Sequence, residues 1–443
     1  MGIQLSDHFT YSRLLRFVLP SIIMMVCTSL YSIVDGFFVS NFVGKTPFAA
    51  VNLIMPIAMG VSTFGFMIGT GGSAIVSKTL GEGKSKLANE YFSMLIYIAI
   101  GSGILLGTLG AIFIRPISAA LGAEGKMLEY CIIYGRILSL SLPVFMLQTI
   151  FQNFFIVAEK PNLSLNVSVI AGLTNVILDY LFIVVFQWGI AGAALATALG
   201  EVVGGLLPLC YFARNNTSLL QLTKTKFYPT IFLHTCTNGS SEMVTNLSSS
   251  LVNMLYNFQL MKLAGEDGIA AFGVIMYANF VFAAIYIGYA IGSAPIVSYH
   301  YGAGNHKELK NLYRKSLLFN GFVGIFITVL SQLSAAPLMK IFVGYDPTLY
   351  ALTVHGFRLF ALMFLICGIN IWGSSFFTAL NNGFLSALIA FLRTLIFQVG
   401  AVFLLPIYLD IDGIWLAMVV AEVLTLMITI TCLYLKKNQY HYR

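Results

Sequence analysis

A chain of 443 residues that is 58% hydrophobic and only 9% charged falls outside the range of water-soluble globules, whose charged share is about a quarter. This composition excludes a soluble enzyme or binding module and places the chain in a bilayer. The formal net charge of +7 would suit nucleic acid, but the basic residues follow membrane topology, and no nucleic-acid partner is expected.

Apolar stretches of spanning length recur along the whole chain. In order they cover residues 14–39, 49–77, 91–114, 130–157, 163–186, 190–213, 231–261, 269–298, 316–336, 349–380, 384–405 and 413–435. The expected fold is an all-α integral membrane protein of twelve transmembrane helices. The first stretch carries Asp35 and follows no small-residue cleavage site, so it reads as a permanent helix of a mature chain that starts at Met1. Six cysteines lie scattered in or near the stretches, with no Cys-x-x-Cys pair, and read as small apolar fillers.

A shift of 221 positions lays the first half on the second. Met55 then falls on Met276, Gly81-Glu82-Gly83 on Gly302-Ala303-Gly304, Pro116 on Pro337, Gly135 on Gly356, Gly192 on Gly413 and Glu201 on Glu422, with slips of about one residue between. The expected organisation is an N-lobe (1–213, helices 1–6), a cytoplasmic linker (214–230) and a C-lobe (231–443, helices 7–12). Each half holds an even number of spans, so the halves run parallel and their pseudo-twofold axis lies along the membrane normal. The Asn-Asn-Thr-Ser and Lys-Thr-Lys stretches near residues 215–226 read as a solvated linker. The basic loops at 78–90 and 300–315 each open with Gly-x-Gly, but neither has Walker spacing or a preceding strand. They read as helix-ending turns and not as phosphate sites.

With the N-terminus inside, the cytoplasmic side holds Arg13, Arg16, Lys78, Lys84, Lys86, Lys307, Lys310, Arg314 and Lys315, plus the basic residues of the linker and the C-terminal tail. The outer side holds only Lys45, Arg115, Lys126, Lys262 and Lys340. The positive-inside rule therefore predicts a multi-pass protein of the cytoplasmic (inner) membrane with both termini in the cytoplasm.

Ionisable groups inside spans cost at least a few kcal/mol each on insertion scales, so each needs a reason. Asp35 lies near the end of the first helix. Asp179, in the fifth, follows Asn175 by one turn on the same face, and Thr197 in the sixth adds a hydroxyl. Two acids, an amide and a hydroxyl suit a hard monovalent cation, or two carboxyls sharing one proton. The bland alternative, that either aspartate only reaches the aqueous rim, stays open. Arg393 and Glu422 would lie at similar depth in the eleventh and twelfth spans and read first as a structural ion pair, with Arg393 touching substrate as the sharper alternative. Glu201, the counterpart of Glu422, reads as structural too. No catalytic residue is assigned: the six histidines are dispersed, which disfavours a membrane-embedded enzyme, and no filter-like carbonyl motif points to a channel.

Three runs together resemble multidrug and toxic compound extrusion (MATE) transporters: Ser32-Ile33-Val34-Asp35-Gly36-Phe37-Phe38-Val39, Asn175-Val176-Ile177-Leu178-Asp179, and Gly192-Ala193-Ala194-Leu195-Ala196-Thr197. Asp412-Gly413-Ile414-Trp415-Leu416-Ala417 agrees in the second half. The resemblance covers essentially the whole chain. It implies a twelve-helix antiporter that exports small, amphipathic, mostly cationic organic compounds against inward flow of Na⁺ or H⁺. In the branch with an N-lobe site, the coupling residues match Asp35, Asn175, Asp179 and Thr197, which would also be the metal ligands if the ion is Na⁺. Tyr31 and Asn153 are expected as neighbours, and Tyr31, Asn153, Glu242 and Arg393 as substrate-cavity residues. Another branch uses a seventh-helix Glu and a tenth-helix Asp. Glu242 fits the first, but the tenth span offers His355 and Arg358 and no Asp, so a C-lobe sodium site is not expected. The resemblance implies no cofactor beyond the coupling ion, a lipid environment and a monomer. A lipid-linked glycan flippase of the same superfamily is the alternative; a large anionic headgroup should want a strongly cationic cavity, whereas the N-lobe presents acids.

Overall fold

Backbone amides in hydrocarbon find no water, so each apolar stretch satisfies its own hydrogen bonds as a helix. The computed structural model describes residues 3–442, and their long apolar segments are helical throughout. The first half holds α1 (Tyr11–Val43), α2 (Lys45–Gly81), α3 (Ser85–Ala120), α4 (Gly125–Val157), α5 (Pro161–Val185) and α6 (Gly189–Ala213).

The second half has two helical runs too long for one crossing. Pro229–Gly302 has 74 residues, about 110 Å at 1.5 Å per residue against a hydrocarbon thickness of about 30 Å. The run breaks at Gly265 (φ 62°, ψ −146°), which separates α7 (229–264) from α8 (266–302). Tyr256 stacks on Phe272 with ring centroids 4.8 Å apart, so α8 folds back along α7. After α9 (His306–Val343) and α10 (Pro347–Ala379), the run Gly383–Tyr440 breaks in the same way at Asp410 (φ 47°, ψ −131°). This divides α11 (383–409) from α12 (411–440). The sequence places several-residue turns at both points; the chain reverses there on a single residue in a left-handed conformation, and helix resumes at once.

Three helices widen by one turn beside or at a charged residue. Wide turns run Val39–Val43 after Asp35, Tyr180–Val185 directly after Asp179, and Leu392–Phe397 around Arg393. Such turns change which residues face inward and often occur at functional positions.

The repeat reappears as backbone geometry. Gly83 and Gly304 both take left-handed φ, 77° and 65°, and both close the preceding helix: Lys84 N–H donates to Thr79 O at 3.2 Å and Asn305 N–H to His300 O at 2.9 Å. These basic loops are helix-ending turns. Glu159 and Asn381, the residues that open the turns into α5 and α11, also match at φ 60° and 57°.

The halves meet through α1 and α2 against α7 and α8. Glycine makes this approach close enough for backbone to touch backbone. A Cβ on Gly81 would stand 2.0 Å from Tyr299 O, on Gly302 2.1 Å from Lys78 O, and on Gly239 2.0 Å from Met67 O. These contacts all lie toward the face that carries both chain ends. On that face the segment before α1 ties the halves together: Leu5 N–H donates to Glu159 Oε1 at 2.6 Å and Phe9 N–H to Glu308 Oε1 at 2.9 Å. The connection between α6 and α7 is not the freely solvated linker the sequence suggests. Gln221 N–H donates to Asn89 Oδ1 (2.6 Å), Thr223 N–H to Ser93 Oγ (2.8 Å), and Leu220 is fully buried, so the segment is strapped along α3.

Candidate functional site

Inside the first half, α1, α2, α4, α5 and α6 enclose a cavity of about 310 Å³. Tyr31 and Asp35 reach it from α1, Asn175 from α5, and Thr197 and Glu201 from α6. Asp179 lies just behind the wall with no solvent exposure. The Asp35 carboxyl faces Asp179, Asn175 and Thr197, and Asn175 Nδ2 donates to Thr197 Oγ1 at 3.4 Å. The structure thus brings together the four residues singled out as a coupling set, with Tyr31 beside them.

Both oxygens of Asp179 and Oδ1 of Asp35 are buried without a hydrogen-bond partner. The hydroxyl of Tyr134, also buried near these acids, has none either. A carboxylate in this state is costly unless it takes up a proton or a cation. The oxygens available are two carboxyls, the Asn175 carbonyl and the Thr197 hydroxyl, a hard donor set that fits a monovalent cation or a shared proton. No group of three or more His, Cys, Asp or Glu side chains that could hold a metal occurs among the described residues.

A second cavity, of about 280 Å³, lies between the halves and is lined by Asn153, Glu242, Tyr256, Asn279, Arg393 and Gln398 among others. Here the structure corrects one expectation. Asn153 does not neighbour Asp35; it lines this second cavity, because α4 shows Thr149 to the first cavity and, a turn later, Asn153 to the other. The four expected substrate residues are therefore split between two sites, Tyr31 in one and Asn153, Glu242 and Arg393 in the other. Arg393 makes the expected ion pair: Nη2 and Nε both lie 2.7 Å from Glu422 Oε1. Asn370 Nδ2 supplies a further bond to Glu422 Oε2 at 2.7 Å. The Arg393 side chain keeps 16% of its surface exposed while Glu422 keeps none, and it borders the cavity, so pairing and lining coexist.

Sequence reasoning named Glu201 but did not place it at the first cavity. Its equivalence with Glu422 suggested a structural role, yet its surroundings differ entirely. It lines the first cavity, Ser141 lies within hydrogen-bonding range, and its Oε2 has no partner. The signal available was its spacing: Glu201 follows Thr197 by one helical turn and so shares its face. Gln148, 8% exposed with Oε1 unpartnered, is a second cavity residue that no motif marks.

The profile of the MatE family matches this sequence twice, over residues 20–181 and again over 243–403. This chain belongs to the MatE family. It is a multi-pass membrane transporter of the multidrug and toxic compound extrusion class and not an enzyme. Among curated proteins it is similar to the multidrug export protein MepA of Staphylococcus haemolyticus (strain JCSC1435), 21% identical over 97% of this chain and 94% of that protein. MepA of Staphylococcus aureus (strain NCTC 8325 / PS 47) is 23% identical over the same shares. Among solved structures, a multidrug resistance MATE family transporter of the MOP superfamily in its outward-facing conformation superposes with a TM-score of 0.94 at 20% identity, covering 100% of this chain and 99% of that one. A MOP superfamily transporter from Pyrococcus furiosus Vc1 (DSM3638), for which a binding pocket of reverse polarity suggests a different function, has a TM-score of 0.89 at 21% identity, covering 96% of each.

Proposed function

We propose that this MatE protein is an antiporter that exports amphipathic, mostly cationic organic compounds by alternating access, coupled to inward flow of Na⁺ or H⁺. One observation carries the reading: Asp35 and Asp179 face each other beside Asn175 and Thr197, with three of their four carboxyl oxygens buried and unpartnered. Two acids this close cannot both stay charged cheaply, so the site takes up a proton or a small cation and gives it back when its surroundings change. An adjoining cavity of about 310 Å³ is at the lower end of drug-binding pockets.

Each elementary charge that enters down 100 mV supplies about 2.3 kcal/mol, enough to sustain a gradient of about fiftyfold in a neutral compound. A monovalent cation leaving one-for-one cancels that electrical term, so its export draws on the chemical gradient of the coupling ion. The distribution of lysine and arginine supports placement in the cytoplasmic membrane with both termini inside. The glycine contacts and the N-terminal strap would then close the cytoplasmic side, as an outward-facing transporter requires. A glycan flippase finds less support, because the first cavity is lined by acids and, among the described residues, by no Lys or Arg.

The deciding experiment is counterflow of ethidium in proteoliposomes, with Na⁺ and pH gradients imposed separately. Uphill movement driven by one gradient and abolished by Asp35→Asn is the expected result. Movement indifferent to both gradients overturns the antiport reading.

A further inference from the structure

The repeat that builds the fold places a glutamate at the same position in each half but provides a cation for only one of them. In the second half Glu422 is fully buried and neutralised, by the Arg393 guanidinium of α11 and the Asn370 amide of α10. Aligning the left-handed residues Glu159 and Asn381 brings Arg393 onto Ala171 and Asn370 onto Gln148. Both Ala171 and Gln148 line the first cavity. Where one half holds a guanidinium, the other holds a methyl group and open space.

Glu201 stands beside that space. A Cβ on its neighbour Gly200 would lie 3.0 Å from Ala171 O, so α5 and α6 cross at this point. Gln148 packs on the same face of α6, against Gly204, with Oε1 buried and unpartnered. Glu201 Oε2 is likewise buried with no partner. Among the described residues no Lys, Arg or His lines the cavity, so the cation that neutralises Glu201 is a mobile one.

We infer that Glu201 is the anchor for the positive charge of an exported organic cation, which occupies the place that Arg393 fills in the other half. The inference rests on the antiport reading above and gives its two tasks to different acids. Asp35 and Asp179 hold the coupling ion, and Glu201, one helical turn from Thr197, holds the substrate charge. The walls suit such a ligand. Met25, Met55 and Met59 supply polarisable, adaptable surface, and Tyr31, Phe66 and Phe145 supply ring faces that attract cations. A rigid arginine at position 171 would occupy both the space and the charge; alanine leaves both to a passing molecule.

The test measures binding to the full chain in nanodiscs, with tetraphenylphosphonium as the cationic probe and triphenylphosphine oxide as a neutral probe of related shape. Glu201→Gln is expected to weaken tetraphenylphosphonium binding at least about tenfold while changing phosphine oxide binding less than about twofold, and Glu201→Asp should retain most of the cation affinity. Ala171→Arg, which recreates the pair of the other half, is expected to abolish cation binding in a protein that unfolds no earlier than wild type. It decides the matter if Glu201→Gln does not fold. Wild-type cation affinity in Glu201→Gln or in Ala171→Arg overturns the inference, as does equal loss of both probes. If wild type itself shows no gradient-driven transport, the antiport reading fails while the binding result for Glu201 still stands or falls by itself.

Discussion

Arg393 places both Nε and Nη2 2.7 Å from a single oxygen of Glu422, and the other oxygen takes the amide of Asn370 at 2.7 Å. Glu422 is completely buried, so every charge here depends on its neighbour. Truncating one partner, as in Arg393→Met or Glu422→Leu, is expected to cost about 3 to 5 kcal/mol, because the survivor is left charged in low dielectric. The double variant should lose much less. Thermal unfolding in detergent reads the difference, and stable single variants with altered drug preference would show that Arg393 acts on substrate instead.

Asp35→Asn is expected to reduce export to background while membrane expression stays near wild type. The amide fills the same volume but cannot take up or release the coupling charge. Ethidium efflux from a host lacking its own pumps is the measurement, and wild-type resistance would remove this carboxyl from the coupling step.

Because Asp35 and Asp179 face one another, they should behave as one unit, with protons that titrate as a pair. Asp179→Asn alone is therefore expected to reduce export as far as Asp35→Asn does, with the double variant no worse than either, as for residues that act as one site. Substantial export retained by Asp179→Asn would show that the two acids serve separate steps.

The seal between the halves depends on missing side chains. Gly81→Ala and Gly302→Ala each drive a methyl group to about 2 Å from a backbone carbonyl, of Tyr299 and Lys78 respectively, which only a separation of α2 from α8 relieves. Both variants are expected to shift the population toward a conformation open at the face of the chain ends. Spin-label distances between α2 and α8 should lengthen there, and unchanged distances would mean that the helices absorb the strain locally.

Glu308 accepts from the Phe9 amide at 2.9 Å and the Asn311 side chain at 2.7 Å, and it lies 2.6 Å from His8 Nδ1. Removing it in Glu308→Ala strands buried donors, at about 1 to 3 kcal/mol, and frees the N-terminal strap. Faster proteolysis before residue 11 and a lower unfolding temperature are expected. A strap that stays protected would show that burial of Phe9 alone holds it.

Much of this protein is legible in its sequence because the bilayer leaves few choices. Apolar stretches of about 20 residues must be helices, so twelve spans can be counted, and matched glycines and a matched pair of prolines reveal the repeat in the sequence itself. The acids at positions 35 and 179 stood out because charge in hydrocarbon is expensive, and Asn175 and Thr197 followed from helical spacing and from family resemblance. Side-chain surroundings were not legible in this way. Glu201 and Glu422 occupy equivalent places in the repeat, yet one meets an arginine and the other an open cavity. Asn153 and Thr149 sit one turn apart on α4 yet face different cavities. The polar stretch after α6 looks solvated but is pinned along α3 by Asn89 and Ser93. Local periodicity reports whether a residue is buried; what it is buried against depends on how helices distant in sequence cross, and only the tertiary structure decides that.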